Sequence, residues 1–86
     1  MLMSEVIIRP VTSEKAVRLM ESQNTLTLIV NQKASKTLIK KKVEQLFKVK
    51  VIKVNTLNTT KNEKKVYVKL NSESNALDIG AELGVI

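Results

Sequence analysis

The stretch VKVIKVNTLNTTKNEKKVYVKL, Val49 to Leu70, decides how this chain folds. In its second half Val66, Val68 and Leu70 alternate with Lys65, Tyr67 and Lys69, the clearest period-two signal in the sequence. A strand with that pattern has one apolar and one basic face. The first half is also strand-like, but its apolar residues change phase between Val51 and Ile52. Val49 to Val51 are therefore expected to carry the chain off a preceding helix, with the strand starting near Val51. Thr60 to Asn62 then close a hairpin.

Working back toward the N-terminus, Ser35 offers an N-cap, and Leu38, Ile39, Val43, Leu46 and Phe47 fall on one side of a helical wheel. Lys41 and Lys48 then lie on the far side and Lys40 and Lys42 on the flanks, so one face is core and the rest basic. Asn24 to Asn31, NTLTLIVN, sets Leu26, Leu28 and Val30 against Thr25, Thr27 and Ile29 and reads as a strand. A helix from about Ser13 to Glu21 precedes it, with Thr12 as its N-cap, Glu14 in the first turn and a stripe of Ala16, Val17, Leu19 and Met20. Pro10 holds Arg9 to Val11 extended, and Val6 to Ile8 read as a short edge strand.

Beyond the hairpin, Ser74 or Asn75 caps a short last helix with Ala76, Leu77, Ile79 and Leu83 as its stripe and Gly84 as its stop. A right-handed crossover makes the strand near residue 26 parallel to the strand near residue 54, with the strand near residue 68 between them and antiparallel to both. The expected fold is α+β in a single domain, residues 1 to 86, with a small antiparallel sheet of three to four strands in a split β-α-β arrangement packed with helices.

The charge is distributed as unevenly as the apolar residues. Residues 33 to 69 hold twelve lysines against Glu44 and Glu63, a local excess of +10, whereas the net charge of the chain is +7. Residues 1 to 32 balance Arg9, Lys15 and Arg18 against three glutamates, and residues 70 to 86 carry Glu73, Asp78 and Glu82 with no base. Lysines that only keep a surface solvated need no such polarisation. It points to one surface set against a polyanion.

Cysteine and histidine are absent, which removes disulfides, thiolate nucleophiles, Cys/His zinc sites and the usual acid–base side chain near neutral pH. The only glycines are Gly80 and Gly84, so there is no glycine-rich phosphate loop. Carboxylates such as Glu63 and Glu73 lie in or beside turns, where solubility is their ordinary role. No enzyme, cofactor or small-molecule substrate is expected. Glu5 and Pro10 interrupt the apolar N-terminal run, so neither a signal peptide nor a membrane span is expected.

The bases are nearly all Lys, with Arg9 and Arg18 the only arginines. Lysine acts as a hydrated point charge while Arg forks onto guanine edges, so phosphate contact should outweigh base reading. Readers of single-stranded RNA stack successive bases on several aromatics, but this sheet offers Tyr67 alone. That residue reads equally as a stacking platform or as a half-exposed strand residue. The expected ligand is a folded RNA, recognised by shape and charge.

Three stretches, IIRPVTSEKA (Ile7 to Ala16), VKVIKVNTLNT (Val49 to Thr59) and KKVYVKL (Lys64 to Leu70), resemble in order and spacing the universal large-subunit ribosomal proteins of the L-twenty-three family. The closing IGAELGVI is similar to archaeal members. The resemblance covers essentially the whole chain. It implies a cytoplasmic protein of the large ribosomal subunit, bound to 23S-type rRNA beside the polypeptide exit tunnel. It further implies a neighbour of the L-twenty-nine family and a docking role for signal recognition particle and the translocon, without insertion into the membrane itself.

In bacterial relatives the acid of the SEK motif contacts a ribosome-bound chaperone; the matching residue is Glu14, which with Ser13 and Arg18 makes the expected docking patch. Bacterial members also carry a long basic hairpin, whereas NTTKNEKK (Asn58 to Lys65) is short. The expected rRNA-binding residues are Arg9, Lys33, Lys36, Lys40, Lys41, Lys53, Asn55, Thr56, Asn58, Lys61, Lys64, Lys65, Tyr67 and Lys69, with Lys36, Lys40, Lys53, Asn55, Lys61, Lys64 and Lys65 foremost. The rival reading is a free-standing archaeal chromatin or RNA-chaperone protein, which would bind DNA and RNA alike.

Overall fold

The computed structural model describes residues 6–58 and 63–84. The elements run β1 (Ile7–Pro10), α1 (Glu14–Gln23), β2 (Thr25–Asn31), α2 (Lys36–Phe47), β3 (Val51–Asn58), β4 (Glu63–Leu70) and α3 (Ala76–Glu82). The strands form one antiparallel sheet in the order β1-β2-β4-β3, so β4 lies between β2 and β3 as the crossover argument requires. The expected turn at Thr60 to Asn62 falls outside the described residues.

The phase change in the hairpin is resolved by a bulge. Val51 pairs with Leu70, but the next pair is Lys53 with Lys69, so Ile52 is the extra residue on β3 and is 57% exposed. A bulge resets the alternation, which lets both Val51 and Val54 face the core. Glu44 of α2 accepts the Val51 N–H at 3.1 Å, satisfying a backbone donor at this junction.

One face of the sheet carries Leu26, Leu28, Val30, Val66, Val68 and Leu70, buried in a single cluster with Ile39 and Val43 of α2 and Ala76 and Ile79 of α3. These aliphatic side chains supply the hydrophobic area that a chain with two aromatics must find elsewhere. Leu38 and Leu46, expected on the same core stripe, are instead each 39% exposed. With Ile39 and Val43 at the centre of the buried face, they fall at its margins. Lys48 is not on the outer helix face: it is the C-cap of α2, in the left-handed region at φ 55°.

The N-cap of α1 is Ser13 rather than Thr12. Its Oγ accepts the Ala16 N–H at 3.2 Å, and the helix runs two residues past Glu21. Asn24, expected to begin the strand, is instead the left-handed C-cap of α1 at φ 50°. Asn tolerates that conformation better than other side chains, and a strand can start directly after it. At the last helix Asn75 is the cap, its Oδ1 accepting the Leu77 N–H at 2.9 Å, and Gly84 follows at φ 77°. The edge strand β1 begins one residue later and ends two residues later than expected, so it includes Pro10, which an edge strand tolerates.

Candidate nucleic-acid interface

Strand alternation sorts the lysines into two populations. Directly opposed residues in an antiparallel sheet point to the same side, so three rows cross the face opposite the main core. They are Thr25, Lys69 and Lys53; Thr27, Tyr67 and Asn55; and Ile29, Lys65 and Leu57. Lys53, Asn55, Lys65, Tyr67 and Lys69 of the expected set therefore share one face. Among the described residues no helix covers its β3 side, where Lys53, Asn55 and Leu57 are exposed.

The β2 side of that face is closed. Thr25, Thr27 and Ile29 are as buried as the leucines that alternate with them, because α1 lies against β2. Lys15, Leu19 and Gln23, one helical turn apart along α1, line a groove of about 420 Å³ with Thr25, Lys53, Asn55, Tyr67 and Lys69. Sequence reasoning missed the three α1 residues. Their spacing of four along one helix was the available signal.

Lys53 and Lys69 stand directly opposite each other, a like-charge pair that disfavours the isolated sheet. Lys53 also lines a neighbouring cleft of about 180 Å³ with Lys36 and Lys40 of α2. It therefore joins the charges of the open face to those of the helix. Lys65 holds its Nζ 5.7 Å from the centroid of the Tyr67 ring.

The remaining expected residues lie elsewhere. Lys64 and Thr56 belong to the opposite, helix-bearing face by register. The Lys64 Nζ donates to the Ala34 carbonyl at 2.9 Å, tying β4 to the segment before α2. Arg9 reaches the Glu63 carboxylate at 3.3 Å across the exposed end of the sheet. Lys33 is exposed in the turn before α2, and Lys41 is exposed on that helix. Asn58 ends β3, paired with Lys64, and Lys61 lies outside the described residues.

The expected docking patch forms one end of α1. Ser13 caps it, and Glu14 accepts a hydrogen bond from the Arg18 guanidinium at 2.9 Å, an exposed i, i+4 pair. Among the described residues no helix is long and apolar enough to cross a membrane.

Residues 5 to 77 match the protein-family model described as Ribosomal protein L23. The chain is also similar to the large ribosomal subunit protein uL23 of Pyrobaculum aerophilum. The two are 53% identical over 81 residues, which is 94% of this chain and the whole of that protein.

Proposed function

Because this chain belongs to the ribosomal protein L23 family, we propose that its open lysine face binds large-subunit rRNA beside the polypeptide exit tunnel. It is a structural constituent of the cytoplasmic large ribosomal subunit and not an enzyme. The observation that carries the rRNA reading is the Lys53–Lys69 pair. A fold that needed charge only for solubility gains nothing from opposing two lysines across a sheet, whereas a phosphate between them turns repulsion into attraction. Lys36 and Lys40 extend the same field along α2.

The test is binding of the purified chain to large-subunit rRNA fragments and to duplex DNA of equal length, titrated with salt. The expected result is one RNA fragment preferred by orders of magnitude. Its log K should fall with log salt at a slope reflecting roughly five to eight phosphates. DNA competing equally would assign the charge to indiscriminate polyanion binding.

The end of α1 supports the second part of the proposal, a docking site for signal recognition particle and the translocon beside a neighbour of the L29 family. Ser13, Glu14 and Arg18 are all exposed there, Glu14 and Arg18 on the side of α1 away from the buried Ala16 and Met20 and Ser13 at the cap. Ribosomes carrying Glu14→Ala with Arg18→Ala should bind signal recognition particle more weakly while their rRNA content is unchanged. Unchanged binding would exclude this patch from docking.

A further inference from the structure

Phosphate contact alone does not require a concave surface, yet the basic face of this protein holds a groove. Its volume of about 420 Å³ lies within the range of sites that enclose a small ligand. We infer that it receives a single unpaired RNA base, laid against Tyr67 and Leu19, with its edge toward Asn55 and Gln23. This deepens the rRNA reading and rests on it.

The wall chemistry is divided as such a ligand demands. Leu19 and the Tyr67 ring are the apolar surfaces, suited to the flat face of a base. The amides of Asn55 and Gln23 each offer both donors and an acceptor, matching the mixed edge that every base presents. Lys15, Lys53 and Lys69 complete the groove, placing positive charge where the phosphates flanking an extruded nucleotide run. A fully paired helix could use the lysines but would leave the ring and the amides idle.

The number of aromatics fixes the number of bases. Tyr67 is the only tyrosine, the chain has no Trp, and its one Phe, Phe47, packs against the core from the end of α2. A run of stacked bases has no second platform here, but one base needs only one. Lys65 lies over the ring and lines the smaller cavity that shares Tyr67, but it does not line the groove.

A second observation comes from Thr27, which is only 5% exposed. Its Oγ1 is buried and has no hydrogen-bond partner among the described residues. It lines the smaller cavity, about 10 Å³, which shares Lys15, Leu19 and Tyr67 with the groove. Buried hydroxyls are ordinarily satisfied, and this space has room for about one water. The Thr27 hydroxyl thus lies in the small cavity beside the groove, next to the Tyr67 ring that lines both.

Tyr67 also supplies the reporter, because tyrosine emission from this chain arises at one side chain. The full chain would be titrated with its preferred rRNA fragment and with two hairpin RNAs that differ only in one bulged adenosine. The expected result is quenching by the rRNA fragment and by the bulged hairpin, which binds about tenfold tighter than its paired twin. Tyr67→Leu should abolish that tenfold advantage while retaining affinity for the paired hairpin. The exposed substitution Asn55→Ala should reduce it without changing the melting temperature.

Tight binding of an rRNA fragment with no quenching, and equal affinity for the two hairpins, would overturn the base site and leave the rRNA reading standing. Loss of any fragment preference would sink both. Quenching by a glutamate-rich peptide and not by RNA would overturn the inference in favour of a protein occupant.

Discussion

The side-chain amide of Asn24 donates to the Ser74 carbonyl at 2.7 Å, joining the end of α1 to the approach to α3 across fifty residues of chain. The same amide reaches the Asn71 carbonyl at 3.1 Å, and Oδ1 accepts the Ala76 N–H at 2.8 Å, at the first residue of α3. The Asn24 carbonyl in turn accepts the Leu70 N–H at 3.0 Å. One side chain thus fastens the start of β2, the end of β4 and the N-terminus of α3, while its own backbone makes the turn out of α1.

Asn24→Ala removes the side-chain bonds and leaves a β-carbon in the left-handed region without local compensation. The expected loss is about 3 kcal/mol, from several net hydrogen bonds and the backbone strain. That corresponds to a fall of order 15 °C in Tm for a domain of this size. Asn24→Gly keeps the backbone at ease and should lose less. Equal losses in thermal melts would show that the left-handed backbone costs Ala nothing and that the lost side-chain bonds account for the whole effect.

Lys53→Glu tests whether stability has been given up for binding. Facing Lys69, the new carboxylate replaces repulsion by attraction and should stabilise the free protein by about 0.5 kcal/mol. The same change should weaken binding to the preferred rRNA fragment about tenfold or more and make the salt slope shallower. Chemical denaturation and a salt-titrated binding curve give the two readings. A variant less stable than the parent would refute the like-charge argument.

Lys64 and Lys65 are adjacent in sequence and should behave oppositely. Lys64→Ala loses the bond to the Ala34 carbonyl and should destabilise by about 1 kcal/mol, with little change in RNA affinity. Lys65→Ala should leave stability near that of the parent but lower RNA affinity and reduce the salt slope by about 1. If both variants weaken binding to the same degree, the two faces of β4 do not divide the roles as the register implies.

The outer and inner leucine-type positions of α2 should also separate. Ile39 is fully buried, so Ile39→Ala should cost about 3 to 4 kcal/mol. Leu46→Ala, at a position already 39% exposed, should cost about 1 kcal/mol or less. Urea unfolding of the two variants measures both, and comparable costs would mean that α2 is rotated from the packing described.

The crossed order of the strands, the hairpin and the inward face of β4 are legible in the sequence, because Val66, Val68 and Leu70 keep period two without interruption. The irregular run from Val51 to Val54 announced a defect but not its kind. It became a bulge because β4 offered Leu70 to Val51 and Lys69 to Lys53, which only the paired strand could decide. The cap expected at Thr12 moved to Ser13, whose Oγ accepts the Ala16 N–H, because the entry geometry of the helix set the cap one residue later. Asn24 gave no sign of its three carbonyl partners, since they come from a segment some fifty residues away.

For the candidate site, the sequence determined that a basic surface exists, that it is built mostly of lysine, and that Tyr67 is its one aromatic. Composition and local period suffice for that, because charge and side-chain alternation are properties of short segments. Which lysines meet was decided only by tertiary structure. The pairing of β3 with β4 brought Lys53 to Lys69, and the packing of α1 on β2 carried Lys15, Leu19 and Gln23 to the same groove. Those contacts depend on register and helix placement, and both are set by how the aliphatic face of the sheet is buried. No stretch of this sequence encodes them alone.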